Sequence, residues 1–302
     1  MKILLTGGTG FIGRRLMSHL RTHHQVSVLS RSPTKVYQRL GHDIEALLSL
    51  DELDNLDQFD AVINLAGEPI ADKRWSPAQK ERICQSRWQL TAQLVDKLKA
   101  GSAPPKVMIS GSAVGFYGRQ GDTLVDEDSR PHPEFSHEVC ARWEQQALAA
   151  QSEQTRVCLI RLGMVLGAEG GALKKMVPGY RFGLGGPIGS GKQYMSWIHI
   201  EDVVNLILFL LEHEECHGAF NATAPEPVTN EQFSRCLAQV LGKPHFARIP
   251  AWSMKLLFGE MAQLLLNGQR VMPVRLQQAG FHFRYPSLDK ALKETLSAML
   301  KT

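Results

Sequence analysis

Near its start the chain reads TGGTGFIG, Thr6 to Gly13, with glycine at 7, 8, 10 and 13. Glycines at this spacing, between a short apolar strand and a helix, serve phosphate binding. One makes a tight turn, one lets backbone approach a pyrophosphate, and one lets helix and strand pack closely. The helix then presents free N–H groups and its positive dipole end. Gly7, Thr9, Gly10, Phe11, Ile12 and Gly13 are the expected cradle for a dinucleotide. The second apolar run ends in Ser30, Arg31 and Ser32, and the next acidic residue is Asp43. A site for NAD places a carboxylate there to hold the ribose 2′-hydroxyl, whereas arginine accommodates a 2′-phosphate. The expected cofactor is therefore NADP(H), with Ser30 and Arg31 on the 2′-phosphate. NLAG ends the third run, and Leu65, Ala66 and Gly67 are small enough to pass beside the adenosine half. Arg87, on the amphipathic stretch QSRWQLTAQLV, is placed to reach the cofactor or to pair with Glu81 or Glu68.

These residues need a scaffold. KILLTG, QVSVLS, DAVINLAG, KVMISGS and RVCLIRLG read as strands buried on both faces, alternating with helical stretches at 11–22, 77–99 and 136–150. That alternation predicts α/β architecture: a Rossmann-type doubly wound parallel sheet. After Gly163 the pattern changes to glycine-rich loops, GAEGGALKK and FGLGGPIGSGK, before SWIHIEDVVNLILFLLE resumes a strand and helix. The expected division is an NADP-binding domain at 1–165 with 195–224 returning to its sheet. A smaller mixed C-terminal substrate lobe takes 166–194 and 225–302.

Composition narrows the function classes. The 302 residues are 43% hydrophobic and 21% charged, with net charge +4 and no basic block, which argues against nucleic acid. Five scattered cysteines lack paired metal spacing and fit reduced thiols. The apolar start is too short for a signal peptide, and LILFLL is far below a membrane span. A cytoplasmic protein with no metal and no membrane partner is expected.

TGGTGFIG, NLAG, SGSAVGFYG and RLGMVLG together resemble the extended short-chain dehydrogenase/reductase superfamily, which includes nucleotide-sugar epimerases and dehydratases. GLGGPIGSGKQYMSWIHIEDV and QRVMPVRLQQAGFHFRYPSLDKAL look like its "epimerase family protein" branch of bacteria and plastids. The resemblance implies that Ser112, with Ser110 beside it, hydrogen-bonds the substrate's reacting hydroxyl. It also implies a tyrosine base on the next helix with a lysine four residues on, whose charge lowers the phenol's pKa. The chain departs here. Its five tyrosines are followed four residues later by Gly41, Gly121, Leu184, Ile198 and Asp289, so Tyr-x-x-x-Lys is absent. The dyad positions fall near Ser136 and Cys140.

Tyr117 is the substitute catalytic candidate, able to swing toward a nicotinamide, with structural packing its plain alternative. Lys192 is a candidate anion ligand or a solvated loop lysine. His199 is a weak substrate candidate in a motif that mainly builds the pocket floor. Two functions follow: an NADP(H)-dependent oxidoreductase or epimerase acting on a small polar or nucleotide-sugar-like substrate, or a catalytically inert NADP(H)-binding redox sensor or regulator linked to cell division. The resemblance also implies a homodimer through the helices at 77–99 and 136–150.

Overall fold

Strand β1 (Lys2–Thr6) is buried after its first residue, and β4 (Ala61–Asn64) is buried throughout. They sit at the centre of a parallel sheet with β2 (Gln25–Leu29), β3 (Glu45–Leu47), β5 (Val107–Ala113), β6 (Arg156–Leu162) and β7 (Gly218–Ala222). The order is β7-β6-β5-β4-β1-β2-β3, and every neighbouring pair is parallel. The computed structural model describes residues 1–301. The expected doubly wound sheet is present, and its five anticipated strands are β1, β2, β4, β5 and β6.

Side chains alternate across the sheet with period two, so both faces need cover. On one face Ile3, Leu5, Ile63 and Ile109 pack with Leu16 and Leu20 of α1 (Phe11–Leu20) and Val203 and Ile207 of α6 (Ile200–Glu212). On the other, Leu4, Val62 and Met108 pack with Leu94 and Leu98 of α3 (Pro77–Lys99) and Ala147 of α4 (Phe135–Leu148). A short α2 (Pro33–Leu40) follows β2. A further core joins Leu173, Val177 and Tyr180 of α5 (Gly171–Arg181), Phe233 and Leu237 of α7 (Asn230–Val240), Trp197, and Leu292 of the helix Leu288–Lys301.

Helix α5 corrects the sequence reading, which took GAEGGALKK as loop. Leu173, Val177 and Tyr180 are buried at helical spacing. The glycines before them serve another purpose: a Cβ on Gly167, Gly170 or Gly171 would meet the Phe11 ring at 2.7 to 3.0 Å. Among the described residues no helix is long and apolar enough to cross a membrane.

Candidate cofactor and active site

The sheet order reverses between β1 and β4, and the crevice at their carboxyl ends is where such folds take ligands. Gly7 lies there in the left-handed region, φ +72°, and a Cβ on it would meet the Leu65 carbonyl at 2.7 Å. A Cβ on Gly13 would lie 2.2 Å from the Gly7 oxygen. Gly10 caps α1 without a side chain, so the first-turn amides around Phe11 and Ile12 have no capping group to satisfy them. The Arg39 guanidinium, absent from the sequence reading, donates to the Thr9 carbonyl at 2.9 Å and braces the loop from α2.

Polar bonds lock the β1 and β4 ends together. Thr6 Oγ1 donates to Asn64 Oδ1 at 2.7 Å and accepts from the Ala66 N–H at 3.1 Å. Asn64 Nδ2 in turn donates to Thr91 Oγ1 at 2.9 Å and Ser110 Oγ at 3.3 Å. Ser110 is fully buried in this knot, where its hydroxyl accepts from Asn64. At the end of β2, Ser30 is half-buried and its hydroxyl is hydrogen-bonded to the Ser32 backbone, while Arg31 is exposed and has no hydrogen bond or ion pair among the described residues.

Arg87 lies above the ends of β4 and β5. It donates to the carbonyls of Glu68 and Ile83, both at 3.0 Å, and its Cζ is 5.2 Å from the Trp143 ring centre. A Cβ on Gly67 would meet that Cζ at 2.8 Å. The alternative pairing with the Glu81 or Glu68 carboxylate is not formed among the described residues. Glu81 binds Gln85, and Glu68 faces Gln79 and Lys73. Burial pulls the Arg87 pKa down.

Ser112 is buried at the end of β5, and its hydroxyl donates to Glu144 Oε1 at 2.6 Å. Arg161 grips the same carboxylate through two bonds of 2.9 and 2.8 Å. Glu144 and Arg161 are only 4% and 5% exposed, so the pair exists because each partner compensates the other. Arg161 also donates to the Tyr117 oxygen at 2.9 Å, and Tyr117 donates to Asn221 Oδ1 at 2.7 Å. Burial, set against the nearby Arg161, pushes the Tyr117 phenol up to about 12. Tyr117 has no exposed surface and both its hydrogen-bonding roles are filled, an arrangement that favours the packing alternative over a mobile phenol.

The dyad positions hold small side chains. Ser136 donates to Glu134 Oε1 at 2.7 Å. Cys140 is buried against Ser112 and the Ala113 backbone, and burial raises its thiol to about 11, which favours the neutral thiol at neutral pH. The sequence reading missed Glu144 and Arg161. The signals were an arginine inside an otherwise apolar strand and a glutamate one turn beyond Cys140 on the same helical face.

His199 is fully engaged. Only an N–H can approach its Nδ1 from Glu201 (3.2 Å), so Nδ1 accepts and Nε2 donates to Glu294 at 2.9 Å. It caps α6 and is buried, and burial lowers its pKa. Asp202 accepts from the backbone N–H groups of Arg284 and Tyr285 at 2.6 and 3.0 Å. Lys192 is exposed beside, not within, the lining of a cavity of about 630 Å³. Arg119, Ser190, Gln193, Lys255 and Asn267 are among the residues that line it.

Comparison with known proteins places this geometry. Residues 3–222 match the NAD dependent epimerase/dehydratase family, and residues 249–295 match a domain of unknown function, DUF1731. The chain is 42% identical over 300 residues to the chloroplastic epimerase family protein SDR39U1 homolog of Arabidopsis thaliana, covering 97% of this chain and 86% of that protein. It is 36% identical over 293 residues to an epimerase family protein of Mycobacterium leprae, covering 96% and 94%. The crystal structure of human epimerase family protein SDR39U1 (isoform 2) with NADPH superposes with a TM-score of 0.89 at 35% identity, over 98% of this chain and 99% of that one. A UDP-glucuronic acid 4-epimerase from Bacillus cereus, at 18% identity and TM-score 0.78 over 100% and 99% of the two chains, shares the fold. The chain belongs to the NAD-dependent epimerase/dehydratase family, in the extended short-chain dehydrogenase/reductase group.

Proposed function

We propose that this chain is an NADP(H)-dependent oxidoreductase or epimerase acting on a small polar or nucleotide-sugar-like substrate, without a tyrosine–lysine dyad. The observation that carries the reading is the combination of the closed glycine cradle with a free Arg31 where an NAD site would hold a carboxylate. The NADPH-bound human relative supports the same cofactor. The residues present fit it. The Gly7–Gly13 backbone holds the pyrophosphate, Ser30 and Arg31 take the 2′-phosphate, and Leu65 and Ala66 flank the adenosine half. Bound NADP(H) supplies or accepts hydride.

The Ser112 hydroxyl donates its hydrogen bond to Glu144, so its oxygen lone pairs are left to accept from a substrate hydroxyl. Residues 166–194 and 225–301 enclose that substrate. Calorimetric titration tests the cofactor. NADPH should bind at least tenfold more tightly than NADH, a margin that Arg31→Ala removes; equal affinities in the wild type sink NADP(H) preference. Assays across hydroxyl and carbonyl sugars test the enzyme. No turnover with any of them, and no effect of Ser112→Ala, sinks catalysis.

A second reading, an NADP(H)-binding regulator without turnover, draws support from the buried Tyr117 and the serine and cysteine at the dyad positions. It requires the NADPH and NADP⁺ complexes to differ in shape. Superimposable hydrogen-exchange profiles for the two would end it.

A further inference from the structure

Helix α8 (Ala251–Phe258) has no buried residue, and only its last, Phe258, packs against a core cluster. Trp252, Leu256 and Leu257 on it are 68%, 72% and 60% exposed. Phe246 before the helix is exposed too, as are Phe182 and Leu184 after α5. These side chains belong to one surface. Gly183 lies beside Pro244, the Gly189 N–H donates to the Ile249 carbonyl at 2.8 Å, and the Ile249 N–H donates to the Pro187 carbonyl at 2.9 Å. The loop after α5 and the segment leading into α8 therefore run side by side. A contiguous exposed apolar patch of this kind marks a place where something binds.

Charge and shape say what binds. Segments 170–200 and 243–258, which build this surface, hold seven Lys and Arg and no Asp or Glu. Lys175 pairs with Asp72 and Arg248 with Glu231, but Lys174, Arg181, Lys192, Lys243 and Lys255 have no ion pair among the described residues. Two copies of such a face repel each other, whereas an anion complements it. The shape is that of the cavity of about 630 Å³. Ala251 and Lys255, one turn apart on α8, line it; Trp252 and Leu256, which follow them, form the next stripe round the helix. Arg119 is also in the lining, with Glu134 3.8 Å from it. Arg74 reaches Gly259 in the same lining, where a Cβ would meet its Nη2 at 3.0 Å. The carboxylate of the lining, Glu260, is taken by Lys80. Cations thus gather in a cavity whose outer edge is apolar.

The cavity sits where this lobe meets the end of β5. Arg119 is two residues beyond the Val114–Tyr117 turn that follows β5, and Gln269, two residues after the lining residue Asn267, donates to the Gly118 carbonyl at 2.8 Å. We propose that the cavity receives a phosphorylated headgroup, held by Arg74, Arg119 and Lys255, and that the α8 face receives the apolar tail attached to it. The ligand is then an anionic amphiphile: charge-assisted bonds hold its phosphate, and contact with Trp252 and Leu256 takes its chain out of water. The proposal rests on the reading above that this lobe encloses the substrate. It narrows that substrate to one that carries a chain.

Calorimetric titration of the full-length protein tests this with decyl phosphate, decyl maltoside and inorganic phosphate, the two decyl probes kept below micelle-forming concentrations. Decyl phosphate has both parts and should bind more tightly than either of the others by about tenfold or more. Lys255→Met and Leu256→Ser change exposed side chains, so both variants should melt as the wild type does. Each should still weaken decyl phosphate by about fivefold or more. Equal affinity for decyl phosphate and decyl maltoside overturns the phosphate site, and equal affinity for decyl phosphate and inorganic phosphate overturns the tail site. Binding to phosphatidylglycerol vesicles without binding to monomeric decyl phosphate gives the face to a membrane surface. A dimer in sedimentation that Leu256→Ser dissolves gives it to a second copy. Either result overturns the proposal. Turnover of a sugar without a chain overturns the narrowing and leaves the enzyme reading standing, and NADPH titration reads the cofactor site independently of all these outcomes.

Discussion

Ser112 is held by a carboxylate that is itself held by an arginine, and this chain of three decides what the serine can do. Glu144→Gln keeps the shape but removes the charge facing Arg161. Leaving a buried arginine unmatched should cost about 3–5 kcal/mol, read as a lower urea midpoint with little change in the slope of the transition. Tyr117 gives a pH signature. Its folded pKa, about 12, lies above the unfolded phenol's usual ~10, so the folded state favours the neutral form. The stability it contributes is complete below pH ~10 and is lost as pH rises toward about 12. Tyr117→Phe should flatten that alkaline decline, at a cost near neutrality of about 1 kcal/mol for its hydrogen bonds; identical alkaline slopes in urea titrations would count against the assignment. The glycine cradle was legible because its logic is local, with turn, close approach and helix start inside eight residues. The Ser112–Glu144–Arg161 chain was not. It joins β5, α4 and β6, and no spacing rule says that a serine, a glutamate 32 residues on and an arginine 17 beyond that will share one set of hydrogen bonds.

At the scale of elements, the turn from β1 into α1 admits no side chain at its tightest point. Gly13→Ala would drive a Cβ to 2.2 Å from the Gly7 carbonyl, which is backbone and cannot swing aside. Stability should fall by about 3 kcal/mol, and NADPH binding should fall with it; a variant with wild-type melting and affinity would contradict the packing described. The strands could be read in advance because each is a short apolar run buried on both faces, and the long helices α3 and α4 because their apolar residues recur at helical spacing. Helix α5 escaped that reading because glycines at 167, 170 and 171 announce a turn. Their actual constraint comes from the Phe11 ring of a helix far away in sequence, which nothing local reveals. The ring of His199 serves as the N-cap of α6, work usually given to serine or aspartate, a task the sequence reading of its motif did not name.

For the whole molecule, ligand and fold should be thermodynamically linked, because the cradle exists only when β1, β4 and α1 are assembled. NADPH at a hundred times its dissociation constant should add about 2.7 kcal/mol and raise the melting temperature by about 5 °C, measured by differential scanning fluorimetry with NADH as the comparison. A shift no larger than that from NADH would speak against the 2′-phosphate site. The sheet order carries a further consequence, for synthesis. Strand β7 pairs with β6 but comes more than fifty residues after it in the chain, and Asn221 within it completes bonds to Tyr117 and Glu127 that span 104 and 94 residues. A growing chain emerges N-terminus first, so the nucleotide-binding strands are all present while β6 is still an open edge. Until Asn221 arrives, Tyr117 lacks the acceptor it uses in the folded protein. The newborn protein thus passes through an interval in which its binding half is complete in sequence but its sheet is not, and that interval is when it most needs protection from other chains.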